Sequence, residues 1–273
     1  MKVAAIQMVS GTRVDANLHT AGLLLQQAAA AGAELAVLPE YFCLLGHHDA
    51  DKLAVQETPG SGPVQDWLSA TARELGLWIA GGTLPLACQP PDPGRVRNAL
   101  LVFDPAGQRM ARYDKIHLFH FDGGDRSYDE AATLQPGTDP ATFELAARDG
   151  HRWRVGLSIC YDLRFPELYR HYAAQGADLL LVPSAFTYRT GQAHWELLLR
   201  ARAVENLAAV VAPAQGGKHE NGRRTWGHSM IVSAWGQVLA LRATGAGVVL
   251  AELDAAEIAA RRKQLPALAH RVL

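Results

Sequence analysis

The chain has 273 residues, 49% hydrophobic and 19% charged, and its 26 basic and 27 acidic side chains leave a formal charge of −1 with histidines neutral. This is ordinary globular composition, which excludes disorder as the organising theme. The length suits one large α/β domain or two half-domains sharing a core. The balanced charge supplies no broad positive field, so no nucleic-acid partner is expected. Three scattered cysteines, Cys43, Cys88 and Cys160, do not read as a disulfide framework. The residues after Met1-Lys2 read as a strand rather than a leader, and no run approaches the roughly 18 unbroken apolar residues of a membrane helix. The expectation is a soluble, cytoplasmic protein with no membrane partner.

In chain order, Val3–Met8 is a short apolar strand. The segment from Asn17 to Ala31 carries leucines and alanines at helical spacing, with Gly32 placed as a C-cap. Glu34–Leu38 is a nearly continuous apolar run stopped by Pro39, the pattern of a buried parallel strand. Arg73-Glu74-Leu75 leads into a strand at Leu77–Ala80. After a proline-rich surface loop at Gln89–Gly94, Leu100–Phe103 turns through Asp104-Pro105-Ala106-Gly107 and returns at Gln108–Met110.

The same order then recurs. Val155–Cys160 is a strand, Pro166–Gln175 a helix with Gly176 as its cap, and Asp178–Val182 a strand stopped by Pro183. Val204-Glu205-Asn206 leads into a strand at Ala208–Val211, and Met230–Val232 turns through Ser233-Ala234-Trp235-Gly236 into Gln237–Leu239. A tail helix begins at Ala255. Two β-α-β-α-β-hairpin halves, about 1–150 and 151–273, bury their faces most simply as one α/β domain. Its two sheets pack together with helices outside, a four-layer α-β-β-α sandwich.

Chemistry is expected where the halves differ at the carboxyl ends of strands. Glu40 follows the second strand where the other half has Ser184, and Cys160 ends a strand where the first half has Met8. Arg112–Leu118, containing Lys115, has no counterpart. Alternation puts Gly156, Ser158 and Cys160 on one face, whose small side chains leave room beside the thiol. The following helix N-terminus favours its thiolate. Singly, each residue has a plainer reading: a buried structural cysteine, a solvated loop carboxylate, an edge-strand lysine. Taken together they supply a nucleophile, a base with apolar neighbours that raise its pKa, and a cation for a developing oxyanion.

Leu38-Pro39-Glu40, Tyr113-Asp114-Lys115-Ile116-His117-Leu118 and Ser158–Glu167 around Cys160 resemble the motifs of the nitrilase superfamily of carbon–nitrogen hydrolases, in the same order and nearly end to end. The resemblance implies the α-β-β-α sandwich already reached from the duplication. It also implies Cys160 as nucleophile, Glu40 as general base and acid, and Lys115 with the Tyr161 backbone N–H as stabilisers of the tetrahedral intermediate. Glu130, in Tyr128–Thr133, matches the family's second glutamate, which orients either the lysine or the substrate. No cofactor is needed for such chemistry. His47-His48 and His117–His120 lack companion ligands at metal spacing, so no metal is expected. Family members assemble as homodimers or homotetramers.

The stretch Pro183–Glu196 resembles the branch of ω-amidases and deaminated-glutathione amidases, which implies a small carboxylate-bearing amide as substrate. Arg164, Phe186 and Thr187 are then substrate-binding, with Arg164 on a carboxylate; its other reading is a salt bridge to Glu167 or Asp162. Ala214–His219 and Trp226–Met230 look more like the deaminated-glutathione side than an enzyme acting on α-ketoglutaramate. The basic loop Lys218-His219 with Arg223-Arg224 either meets a second carboxylate or is a solvated turn. A catalytically silent scaffold of the same fold is the alternative from a different class, and would be expected to have lost one of Glu40, Lys115 and Cys160.

Overall fold

Strand alternation sorts the apolar side chains into two cores. In the computed structural model, described over residues 1–122 and 127–272, the chain begins β1 (Lys2–Gln7), α1 (Val14–Ala30), β2 (Leu35–Val37), α2 (Asp51–Ala54), α3 (Pro63–Leu75) and β3 (Trp78–Ala80). It continues through β4 (Leu84–Ala87), β5 (Val96–Phe103), β6 (Arg109–Asp114) and a small pair, β7 (His120–Asp122) and β8 (Ser127–Asp129). Then come β9 (Thr142–Ala146), β10 (Arg152–Leu157), α4 (Pro166–Ala174), β11 (Leu179–Leu181), α5 (Tyr188–Asn206) and β12 (Ala209–Ala212). The chain finishes with β13 (Gly216–Lys218), β14 (Arg224–Trp226), β15 (Ser229–Val232), β16 (Val238–Arg242), β17 (Gly247–Glu252) and α6 (Ala255–Gln264).

Val3 and Ala5 of β1, with Leu35 and Val37 of β2, share one core with Val155, Leu157, Leu179 and Leu181 of the other sheet. Their neighbours Ala4, Ile6 and Ala36 pack instead with Leu24, Leu25, Leu68 and Ala72 of α1 and α3. The period-2 alternation of each strand therefore addresses a sheet on one side and helices on the other. The second sheet is covered outside by Leu168, Tyr169, Tyr172, Trp195 and Leu199 of α4 and α5. These are the four layers of an α-β-β-α sandwich.

The duplicated order holds in the pairing. β1, β2 and β3 run parallel in one seven-stranded sheet, and β10, β11 and β12 run parallel in a six-stranded sheet. Gly32 and Gly176 both cap their helices at positive φ. The two hairpin turns are closed alike: the Asp104 carboxylate accepts from the Ala106 and Gln108 N–H groups, and the Ser233 hydroxyl accepts from those of Trp235 and Gln237.

Two boundaries differ from the expectation. β9 lies before residue 150 yet belongs to the second sheet, antiparallel to β10, while β17 crosses back to the first sheet and pairs antiparallel with β1 from Lys2↔Glu252 to Gln7↔Gly247. Each covers a strand edge that its half would leave bare. Helix α1 begins at Val14 rather than Asn17, because the Asn17 amide turns inward, accepting from the Gly11 N–H and donating to the Gly11 and Cys43 carbonyls. Among the described residues, no helix is long and apolar enough to cross a membrane.

The turn behind Glu40 depends on one glycine. Gly82 has φ +53°, and a Cβ there would run into the Pro39 carbonyl oxygen and lie 2.9 Å from that of Leu38. Next to it, the Thr83 hydroxyl accepts from the Tyr41 N–H at 2.9 Å. Gly76 has a similar φ of +59° with open space around it. Gly76→Ala is therefore expected to cost about 1 kcal/mol, the left-handed penalty alone. Gly82→Ala should cost at least about 2 kcal/mol more, because the Glu40 segment must move. Denaturant unfolding of the two variants checks this; equal losses would contradict the close-approach role of Gly82.

Candidate active site

Four chain segments converge beyond the carboxyl ends of the parallel strands. Pro39 stops β2, and Tyr41, at φ +57°, turns the chain so that Glu40 points inward. Glu40 is only 1% exposed. Its Oε1 accepts from Lys115 Nζ at 2.9 Å and from Asn98 Nδ2 at 3.0 Å, and its Oε2 accepts from the Ala185 N–H at 2.9 Å. Ala185 lies beyond β11, so the second half of the chain holds the carboxylate of the first. The solvated-loop reading of Glu40 does not apply.

Lys115 directly follows β6 and is likewise 1% exposed. Its N–H donates to the Asn98 carbonyl at 3.0 Å, which fixes the side chain beside Glu40. Besides Glu40, Nζ reaches both Glu130 oxygens, at 2.9 and 2.8 Å. Glu130 opens a one-turn 3₁₀ helix and also accepts from the Phe119 N–H at 2.7 Å and the Tyr41 hydroxyl at 3.1 Å. One buried ammonium is thus shared between the buried Glu40 and the half-buried Glu130 carboxylates, and Lys115 is no edge-strand lysine.

Cys160 starts the 3₁₀ turn Cys160–Arg164 at φ +49°, a conformation that costs a non-glycine residue about 1–2 kcal/mol and persists only when its surroundings enforce it. Fully buried Asp162 does the enforcing. It accepts from the Ile159 N–H at 2.8 Å, the Tyr113 hydroxyl at 2.7 Å and the His117 N–H at 3.0 Å, with His117 Nδ1 at 2.7 Å. Tyr113 and His117 flank Lys115, so one carboxylate fastens the cysteine turn to the segment that places the lysine. Above it the His117 ring stacks on Phe165 with centroids 3.7 Å apart.

The space beside the thiol does not come from the small face of the strand. β10 ends at Leu157, before Cys160. A Cβ on Gly156 would lie 2.7 Å from the Tyr172 ring, and the Ser158 hydroxyl bonds the Tyr169 hydroxyl at 2.8 Å, so tyrosines of α4 occupy that face. The open space beside the thiol is instead a cavity of about 410 Å³ including its mouth. It is lined by Glu40, Glu130, Cys160, Tyr161, Arg164, Phe186 and Thr187 among others, so these sequence-identified residues meet in one place, with Lys115 directly behind. Sequence reasoning did not find Asn98, Tyr41 or Asp162, although an asparagine inside the apolar strand Val96–Phe103 was a visible signal.

The electrostatics follow from burial. Burial raises the Glu40 carboxyl above its ordinary range, although Lys115 opposes the shift. Burial also pushes Glu130 up, but the Lys115 charge and hydrogen bond outweigh it and leave Glu130 below its ordinary range. Lys115 loses hydration on burial, yet Glu130 and Glu40 hold its pKa well above that of a free lysine. Burial, and next the Glu40 charge, raise the Cys160 thiol well above the usual value. The expected push toward the thiolate is reversed in direction: a single turn of 3₁₀ helix does not offset desolvation and an adjacent carboxylate, both of which favour the protonated sulfur. A protonated thiol facing a carboxylate of raised basicity is an acid–base pair ready for proton transfer.

Arg164 forms no ion pair with Glu167 or Asp162. Its guanidinium contacts His194 Nδ1 at 3.2 Å and lies over the rings of Tyr161 and Phe186, at 5.8 and 5.5 Å. It lines the cavity with donors to spare. Of the basic loop, only Arg223 lines the cavity. His219 is buried between the Ser10 carbonyl and the Thr225 hydroxyl, Arg224 covers the Tyr188 ring at 3.6 Å, and Lys218 is exposed on β13. Among the described residues, no three His, Cys, Asp or Glu side chains are grouped to hold a metal ion.

Such a site, on an α-β-β-α sandwich, defines a class: the chain belongs to the carbon–nitrogen hydrolase family, whose profile it matches over residues 2–263. Among its relatives, the deaminated glutathione amidase of Synechocystis sp. is 41% identical over 270 residues, covering 98% of this chain and 97% of that one. The human omega-amidase NIT2 is 36% identical over 266 residues, covering 97% and 92%. Saccharomyces cerevisiae Nit3, a member of branch 10 of the nitrilase superfamily, superposes with a TM-score of 0.87 at 29% identity, covering 100% of this chain and 97% of that chain.

Proposed function

We propose that the protein is a thiol-dependent amidase that cleaves the carbon–nitrogen bond of a small carboxylate-bearing amide, with deaminated glutathione as the favoured substrate. The observation that carries the reading is Lys115 Nζ at 2.9 Å from Glu40 and 2.8 Å from Glu130, directly behind the cavity that Cys160 lines. A silent scaffold would have no use for a buried 2:1 cluster of carboxylates and ammonium against a thiol.

As the Cys160 sulfur bonds to the amide carbonyl carbon, Glu40 takes the thiol proton. The carbonyl electrons move onto oxygen, where the Lys115 ammonium and the Tyr161 N–H hold the charge; the first N–H groups of a helical turn have no carbonyl within it. Glu40 returns the proton to the nitrogen, the carbon–nitrogen bond breaks, and the acyl group remains on sulfur as a thioester. Water then loses a proton to Glu40 as it adds to the thioester carbon; collapse breaks the carbon–sulfur bond and releases the acid, and the departing sulfur takes the proton back from Glu40. Glu130 keeps Lys115 charged and oriented throughout. Arg164 holds a carboxylate on the acyl half, with Phe186 and Thr187 beside it.

The substrate preference rests on resemblance to the deaminated glutathione amidases, with the omega-amidases close behind. A panel of deaminated glutathione, α-ketoglutaramate, uncharged amides and nitriles, followed by the acid produced, tests it; a preference for a nitrile would contradict the proposal. Arg164→Ala is expected to raise KM about tenfold or more for carboxylate-bearing amides, equivalent to ~1.4 kcal/mol, with little change for uncharged ones. Equal losses on both would make the arginine structural.

The acid limb of kcat/KM follows Glu40, which must be ionised to act as base. Because its pKa is raised, activity falls while the pH is still above the ordinary carboxylate range. Asn98 donates to the ionised form, so Asn98→Ala should raise that pKa further and move the acid limb to higher pH by about one unit. An unmoved limb would show that another group controls it.

A further inference from the structure

Beside the catalytic cavity lies a second chamber, about 690 Å³ including its mouth. Tyr41, Phe119, Tyr128, Glu130 and Arg223 line both spaces and form the boundary between them. Cys160 and Arg164 belong to the first space only, Lys52 to the second only. The amidase reading fills the first space with the acyl half of the substrate. The second is then left for the amine half.

Lys52 is the feature of this chamber that nothing described so far explains. It sits on the short helix α2, its Nζ donates to the Thr133 hydroxyl at 3.3 Å, and it lies 5.4 Å from the Tyr41 ring centroid. No carboxylate lies within 4 Å of it among the described residues, and the nearby acids are engaged elsewhere. Asp49 pairs with Arg223 at 3.3 Å, Asp51 accepts from the His48 N–H, and Asp129 accepts from the Ala131 N–H. Glu130 is saturated by Lys115, Tyr41 and Phe119. Burial lowers the Lys52 pKa, and Asp49 and Glu130 only partly oppose it. A half-buried cavity-lining ammonium whose one polar contact among the described residues is a neutral hydroxyl is poorly compensated, and an incoming anion compensates it. Arg223, held by Asp49 through one nitrogen and placed 5.8 Å from the Tyr128 ring centroid, leaves further donors at the boundary.

We propose that this chamber is a leaving-group subsite in which Lys52, flanked by Arg223, binds a carboxylate on the amine half of the substrate. The preferred substrates are then N-substituted amides with an acidic leaving amine, rather than primary amides that release ammonia. Deaminated glutathione has such an amine half, ending in the glycine carboxylate; α-ketoglutaramate does not. The proposal rests on the amidase reading only for which half of the substrate occupies the chamber.

The test compares deaminated glutathione with its C-terminal carboxamide, which differs only in lacking the anion. Calorimetric titration of the Cys160→Ala protein, where neither is consumed, should show the carboxylate form binding about tenfold or more tightly. In Cys160→Ala/Lys52→Met that preference should fall below about twofold, with Lys52→Arg retaining part of it. With Cys160 intact, Lys52→Met should raise KM for deaminated glutathione and leave α-ketoglutaramate kinetics unchanged, which also reports that the variant folds. No discrimination by the Cys160→Ala protein, or equal weakening of both ligands by Lys52→Met, overturns the subsite. If the wild-type protein hydrolyses no amide, the amidase reading fails on its own, and the binding comparison still decides whether Lys52 holds the carboxylate.

Discussion

A single buried ammonium held between two carboxylates is the interaction on which the rest of this molecule depends. Lys115 donates to Glu40 and to both oxygens of Glu130, so the three groups together carry one net negative charge away from solvent. That imbalance makes the two glutamates unlike. Glu130, bonded through both oxygens and supported by a backbone N–H and a tyrosine hydroxyl, stays ionised easily. Glu40, buried more completely, becomes the more basic carboxylate and faces the sulfur. The cluster divides labour between two residues of the same type by environment alone, one fixed as counter-ion and the other poised to exchange a proton.

Keeping such a cluster assembled requires both halves of the sandwich. The first half supplies Glu40, Asn98, Lys115 and Glu130; the second supplies Cys160 and the Ala185 N–H that bonds Glu40. Asp162 closes the arrangement by bonding Tyr113 and His117 on either side of Lys115 while holding the turn that carries Cys160 at positive φ. The strain at Cys160 is maintained by hydrogen bonds that also align the lysine, so loss of one is expected to be felt at the other. β9 and β17 each pair with a strand of the other half, so backbone hydrogen bonds interlock the two halves.

Much of this was legible in the residues. The duplicated strands, cap glycines, proline stops and hairpin turns follow from local rules and led to the layer order. The positions where the halves disagree led to Glu40, Lys115 and Cys160, and the family resemblance added Glu130. What escaped depends on contacts between distant segments. Asn98, Asp162 and Asn17 are short polar side chains, and although Asn98 stands out within an apolar strand, nothing in the sequence says which remote segment each one bonds: Glu40, Tyr113 with His117, and Cys43 respectively. The length of α5 was obscured because Arg202 and Asn206 occupy its buried face, blurring the apolar period. The state of the Cys160 thiol needed its burial and the Glu40 charge, neither visible in the strand-to-helix pattern. Lys52 stands out only once its neighbours are seen to be engaged with other partners.

Catalysis by this site requires the Cys160 sulfur to carry the acyl group during turnover. Acid-quenching the enzyme while it is hydrolysing deaminated glutathione, then measuring intact mass and mapping the modified peptide, examines that step directly. A mass gain equal to the acyl half, on Cys160 and on neither Cys43 nor Cys88, is the predicted result. Undiminished hydrolysis by Cys160→Ala, with no adduct on the wild-type protein, would contradict it.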